Sequence, residues 1–301
     1  MSEIFIPLPS KQYIPLYLEQ NFDGFLRGID KFSSNFNCLY KLDELKEIIN
    51  DLKDNNLKLY VSFDRLYFNN EIDELKETIT ELLKLDITGI CYTDIGLLNI
   101  LNELNTDKEI LWLSNHIGTN SKTINFLNKK GVNNVLLSNE ITKDEIIKIK
   151  SNTNKNIKIG VQLYGFLNMA TSSRKLLTNY FEYIDKKKEK DSYYMKDKVK
   201  KGTYKVVEGF NTNFYTGKVL NGIKFYPEFI NNNIDFIVLD DYMLNENNFY
   251  NIIEAFSSLR RAHNDPVFVD NLEKVVDANT YYGTFYGFLD KKTVYRVEDY
   301  E

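Results

Sequence analysis

Short apolar runs alternate with longer segments of helical period along almost the whole chain. The first run, residues 4–8, precedes a segment at 11–20 that can form a helix weakened at Pro15. The second, 22–28, is followed at 42–54 by LDELKEIINDLKD, which brings Leu45, Ile48, Ile49 and Leu52 to one side. Such a helix is amphipathic and needs a sheet or another helix to cover it. The same alternation continues with strands at 57–63, 88–94, 109–115, 131–138, 157–165 and 234–240. The helical segments between and after them lie at 71–85, 95–104, 123–130, 142–150, 173–183 and 248–262.

Eight strand–helix pairs predict an α/β fold of the TIM-type (β/α)8 barrel, in which closure gives every strand two neighbours. An open, doubly wound sheet is the alternative that the count alone leaves standing. The expected organisation is one barrel domain over residues 1–301, with an insertion or lid at 184–233 and a C-terminal extension at 262–301. The insertion lies between the seventh and eighth units. There the charged run KKKEKDSYYMKDKVKKG at 186–202 breaks the rhythm, and turn residues Thr216, Gly217, Asn221 and Gly222 suggest short strands or a hairpin. Its two readings are a solvated excursion and a lid or RNA-contacting element. The aromatic tail ANTYYGTFYGF is expected to cap or extend the barrel.

Composition narrows the picture only modestly. A formal net charge of -5 neither marks the whole surface as nucleic-acid binding nor excludes a local basic groove. The N-terminus has no signal-peptide pattern and no apolar run is long enough to cross a bilayer, so no membrane insertion and a cytoplasmic location are expected. Two cysteines, Cys38 and Cys91, and two histidines, His116 and His263, cannot alone build a four-thiolate cluster or a histidine-rich metal centre. No metal site is expected.

In such a barrel, chemistry gathers where the strand C-termini meet their loops. The polar residues there are Arg27, Asp64 with Arg65, Asp94, Asn115 with His116, Asn139 with Glu140, Gln162 with Tyr164, and Asp240 with Asp241. His116, Glu140 and Asp240 are the candidate catalytic groups, for proton transfer; Arg27, Arg65, Asp94, Tyr164 and Arg174 are the candidate substrate-binding groups. Each has a plainer role beside it: Asp94 caps a helix, the arginines pair with local acids, His116 bonds its own loop, and Tyr164 fills the core. No GxGxxG, GxxxxGK or HExxH motif occurs, and Ser114 beside His116 does not by itself make a nucleophile–base pair.

Several ordered segments resemble the collagenase-like family historically called peptidase family U32. They are LYVSFDRLYFNNEIDEL, CYTDIGLLNIL, NKKGVNNVLLSNEITKDEI, VQLYGFLNMATSSRKLLTNYF, the stretch from TGKVLNGIKF to NIIEAF, and TYYGTFYG. The family's histidine–glycine pair matches Tyr164 and Gly165. Its first cysteine position is Asn168, its serine–glycine pair is Ser172 and Ser173, its arginine is Arg174, and its second cysteine position is Lys175. The remaining cysteine-bearing segment matches loosely at 191–201, which has no cysteine, and Asp240, Asp241 and Tyr242 replace a glutamate–glycine–arginine segment.

The resemblance implies a cysteine-held iron–sulfur cluster used in oxygen-independent hydroxylation of RNA bases or quinone precursors, often with a partner subunit. The substitutions imply that this chain lacks the usual cluster ligands and carries no cofactor of its own. The expected role is therefore a partner or substrate-binding subunit for RNA-base or related hydroxylation, with a cysteine-containing homologous subunit and an RNA or small-molecule substrate. Autonomous catalysis is not expected. A hydrolase or peptidase using the polar mouth, and a small-ligand-binding barrel, are the alternatives.

Overall fold

The computed structural model describes residues 2–196 and 202–291. Seven parallel strands pair in chain order: β1 (Glu3–Pro7), β2 (Gly24–Gly28), β3 (Lys58–Phe63), β4 (Gly89–Tyr92), β5 (Glu109–Leu113), β6 (Asn134–Leu136) and β7 (Lys158–Gly165). The chain then leaves the ring. Strands β8 (Asn168–Ser172), β9 (Ser192–Lys196), β10 (Thr203–Glu208) and β11 (Thr212–Thr216) form a separate antiparallel sheet in the order β8-β11-β10-β9. Strand β12 (Val219–Asn221) returns antiparallel to β7, and β13 (Phe236–Leu239) pairs in parallel with both β7 and β1. That double pairing closes the barrel at eight strands and excludes the open sheet.

The helices fall between the strands as the periodicity predicts: α1 (Ile14–Leu18), α2 (Leu42–Asp54), α3 (Ile72–Leu83), α4 (Ile95–Glu103), α5 (Ser121–Asn128) and α6 (Lys143–Asn152). After the barrel's seventh strand come α7 (Leu176–Tyr183), α8 (Tyr226–Asn231) and α9 (Glu246–Ala262). The predicted face of α2 is the buried one, with Leu45, Ile48, Ile49 and Leu52 against the sheet. Local starts are fixed by side-chain caps. Asn120 accepts from the Thr123 amide at 2.9 Å, and Asp265 accepts from the Val267 and Phe268 amides at 3.0 and 3.2 Å. Asp265 thereby begins α10 (Pro266–Ala278), a helix in the tail with proline in its first turn. After it, β14 (Thr284–Phe285) pairs with β12.

One expectation is displaced. The departure from the barrel rhythm begins at Asn168, ahead of the charged run, because the polar strand β8 finds its partner in β11 rather than in the barrel. The charged run itself supplies β9, and its residues 197–201 lie outside the described residues, as does the end of the tail at 292–301.

Alternation along the strands sorts each residue to the inside of the barrel or to the helix layer. Phe5, Tyr60 and Phe236 fill the lower barrel, with Phe5 edge-on to the other two rings at 5.4 and 5.6 Å. Gly160 makes room for them: a Cβ there would sit 2.0 Å from the Phe236 ring. Leu26, Cys91, Leu111 and Val238 belong to the same interior cluster. Following the same parity upward, Tyr60 leads through Ser62 to Asp64, and Phe236 through Val238 to Asp240. The packed interior thus opens into a polar mouth.

Candidate functional site

The mouth is a cavity of about 690 Å³, part of it open solvent. Asp64, Asp240, Asn35, Asn115, Asn139, Gln162, Asn168 and Tyr215 supply its polar lining, over an apolar floor that includes Leu26, Leu113 and Val238. These groups come from the ends of five barrel strands, from the loop after β2 and from the inserted sheet.

Asp64 anchors that loop. Its carboxylate accepts from the Ser34 amide at 2.9 Å, from the Asn35 amide at 3.1 Å, and from the Asn35 side-chain amide. Asn35 in turn accepts from the Tyr215 hydroxyl and from Asn213 Nδ2 at 3.3 Å, tying the inserted sheet to the rim. Burial pushes the Asp64 carboxyl up to about 6, against the hydrogen bonds that favour its charged form. Asp240 accepts from the Tyr242 amide at 3.0 Å. Burial, and then the neighbouring Asp241 charge, push it up to about 8. At neutral pH the mouth therefore offers a carboxylic acid O–H as well as acceptors and carboxamides. Asn139 donates to Gln162 Oε1 at 2.9 Å, while Gln162 Nε2 donates to the Tyr164 and Phe166 carbonyls at 3.2 Å each. Such a lining suits an uncharged polar heterocycle better than an anion.

Gly165 brings Asp240 into place. It has φ +120°, and a Cβ on it would lie 2.7 Å from the Asp240 carbonyl and 2.8 Å from the Asp240 Cβ. Strand β7 can approach β13 this closely only without a side chain, at the point where their register shifts.

The candidate residues separate. Asp240 lines the mouth. Asp241 is buried on the other side of β13, pushed up to about 7 by burial despite hydrogen bonding from Asn37. Arg27 does not reach the mouth: it is 1% exposed, donates to the Leu8 carbonyl, and lies 3.6 Å over the Tyr40 ring. Burial lowers its pKa. Arg65 donates to the Lys31 carbonyl and to Glu71 at 2.9 Å, and lies 4.1 Å from the ring centre of Phe210 at the β10–β11 turn, so it braces that turn.

Asp94 caps α4 through the Gly96 amide at 2.9 Å. Tyr164 turns outward, its hydroxyl 3.0 Å from Thr280 Oγ1, and burial pushes it up to about 12. Arg174 is exposed beside the inserted sheet, and its carbonyl accepts from the Thr212 hydroxyl at 2.7 Å. His116 Nδ1 and Glu140 Oε1 are 3.4 Å apart as a partly exposed pair beside Asn115 and Asn139. Ser114 is committed to the Leu136 carbonyl at 2.8 Å.

Asn35 and Tyr215 carried no recognisable motif and were not among the candidates. Asn115 and Asn139 directly precede the candidates His116 and Glu140, and Gln162 lies two residues before Tyr164 on β7.

The positions matched to family cysteines do not fit thiolate ligation. Asn168 Nδ2 donates to Thr171 Oγ1 at 3.1 Å, and Lys175 donates to the Gly209 carbonyl. Cys91 lies inside the barrel, its thiol pushed well up by burial, while Cys38 lies in the loop after β2. Among the described residues no group of three or more His, Cys, Asp or Glu side chains is placed to hold a metal ion.

Fold and site together define a (β/α)8 barrel with a hydrogen-bonding mouth partly covered by an inserted antiparallel sheet. Residues 17–296 match Peptidase family U32, and the chain belongs to that family. It is 24% identical over 307 residues to tRNA hydroxylation protein P2 of Bacillus subtilis, covering 96% of this chain and 97% of that protein. Identity to tRNA hydroxylation protein P1 of the same organism is 21% over 184 residues, covering 61% of this chain and 43% of P1. A solved U32 peptidase aligns with a TM-score of 0.46 at 12% identity, over 56% of this chain and 70% of that one. None of the described helices is long and apolar enough to cross a membrane.

Proposed function

We propose that this chain is a substrate-binding subunit in tRNA hydroxylation, working with a cysteine-bearing homologue and holding no iron–sulfur cluster of its own. The observation that carries the reading is the end-to-end similarity to tRNA hydroxylation protein P2, which includes both the barrel and the inserted sheet. The chemistry of the mouth supports it. A nucleobase presents donors and acceptors on a flat, uncharged edge, and the carboxamides with Asp64 and Asp240 can answer both. Asn168 and Lys175 at the family's cysteine positions favour supply of any redox centre by a partner.

The test is deletion of the gene, followed by mass spectrometry of tRNA nucleosides and complementation with the wild-type chain or Asp240→Ala. The expected result is loss of a hydroxylated nucleoside, restored by the wild-type chain and not by the variant. An unchanged nucleoside profile after deletion would sink the proposal. Affinity purification from the native cell, with iron analysis, tests the subunit assignment: iron should follow a cysteine-rich partner and be absent from this chain alone.

A further inference from the structure

Lys205 of β10 is an unusual lysine. It is only 8% exposed, and its ammonium lies 5.4 Å from the ring centre of Phe166 and 5.1 Å from that of Tyr282. No carboxylate pairs with it among the described residues. Burial lowers its pKa, as expected of a cation whose hydration is replaced mainly by aromatic faces. Buried lysines are ordinarily paired.

Its surroundings point outward from the mouth. Phe166 lines the mouth itself and meets Tyr282 edge-on at 5.3 Å. Tyr282 meets Tyr281 at 5.4 Å, and Tyr281 is 91% exposed. Tyr194, which pairs with Lys205 in the β9–β10 register, is 52% exposed. A buried cation and two open aromatic faces thus stand beside the rim. Residues 174–218 carry twelve Lys and Arg against six Asp and Glu, a net +6, leaving -11 on the rest of the chain. The mouth lining contributes acids and no cation, so a polyanion meets favourable charge on the insertion rather than in the cavity.

We propose that Lys205, with Tyr282, Tyr281 and Tyr194, forms an RNA subsite that receives a backbone phosphate and stacks flanking bases when a target base occupies the mouth. This rests on the RNA reading of the mouth. Sequence-tolerant single-strand binding combines these elements, a cation for the backbone and aromatic faces for bases. The ligand phosphate would supply the counter-charge for Lys205.

The test compares the full chain with Lys205→Met, Lys205→Arg and Tyr281→Ala. Fluorescence anisotropy with unmodified tRNA and a labelled single-stranded RNA oligonucleotide, across a salt series, gives affinity and salt slope. Lys205→Met should weaken binding about tenfold and reduce the salt slope by about 0.7, the value for one phosphate contact on a single strand. Lys205→Arg should keep most of the affinity, and Tyr281→Ala should weaken binding with the slope unchanged. Thermal unfolding supplies the control, since Lys205→Met removes an unpaired buried charge and should leave Tm unchanged or raised. RNA binding by the wild type with equal affinity and slope in Lys205→Met would overturn the subsite while leaving the RNA reading intact. No RNA binding by the wild type, alone or with its copurifying partner, would overturn both.

Discussion

Replacing Asp240 by asparagine tests the electrostatics of the mouth through stability alone. The carboxyl is pushed up to about 8 from its ordinary 3.8 by burial and by Asp241. Below pH 3.8 both folded and unfolded chains hold this proton, and the site costs nothing. Between pH 4 and 8 the unfolded chain releases the proton while the folded chain retains it. The folded state therefore loses stability as pH rises, and the loss levels off above pH 8. At about 1.4 kcal/mol per pH unit, the cost approaches roughly 4 kcal/mol at pH 7, an upper figure because water and side-chain rearrangement relieve part of it. Asparagine keeps the Oδ1 that accepts from the Tyr242 amide and carries no charge. Urea unfolding of both proteins from pH 4.5 to 8.5 should show near-equal stability at the acid end and an advantage to Asp240→Asn that grows toward pH 8. Parallel stability curves would refute the assignment of a neutral buried acid.

Four further outcomes follow from particular contacts. Gly165→Ala forces a side chain against the Asp240 backbone at positive φ and should cost about 1–3 kcal/mol in chemical denaturation. Gly160→Ala drives a methyl into the Phe236 ring and should cost about 1–3 kcal/mol by overpacking, measured the same way. Glu208 accepts from Leu177 and Thr178 amides, the Thr178 hydroxyl and Lys188; against burial, which raises it, these bonds hold its carboxyl down to about 2. The order it gives the insertion is present above pH 4.5 and lost as pH falls toward 2, so hydrogen exchange in β10 and α7 should accelerate on acidification and Glu208→Gln should flatten that dependence. Arg65→Ala should open the β10–β11 turn to protease at Phe210 with little change in global unfolding, since the guanidinium braces that turn against the barrel.

The barrel was legible because its strands and helices differ so plainly in period, and the strand ends located the mouth. Which residue at each end enters the mouth was not legible. Barrel strands are apolar on both faces, one toward the interior and one toward the helices, so alternation cannot be phased from polarity. At three strand ends the candidate is the neighbour of the residue that lines the mouth: Arg65 beside Asp64, His116 beside Asn115, Glu140 beside Asn139. The inserted sheet was hidden for a related reason. Strand β8, NMATS, is short and mostly polar, and its partner β11 is separated from it in sequence by a helix and two strands. Asn35 enters the mouth through Asp64, a contact that no local pattern announces.

The pairing of β13 with β7 and β1 also sets when the mouth becomes enclosed during synthesis. A ribosome has delivered more than two hundred residues, including Asp64, Asn115, Asn139 and Gln162, before Asp240 emerges on the strand that closes the ring. Tyr281 and Tyr282 follow later still. A truncated product ending before residue 236 would retain most of the rim chemistry but none of its enclosure, so premature termination should yield chains with an open ring rather than a weakened mouth.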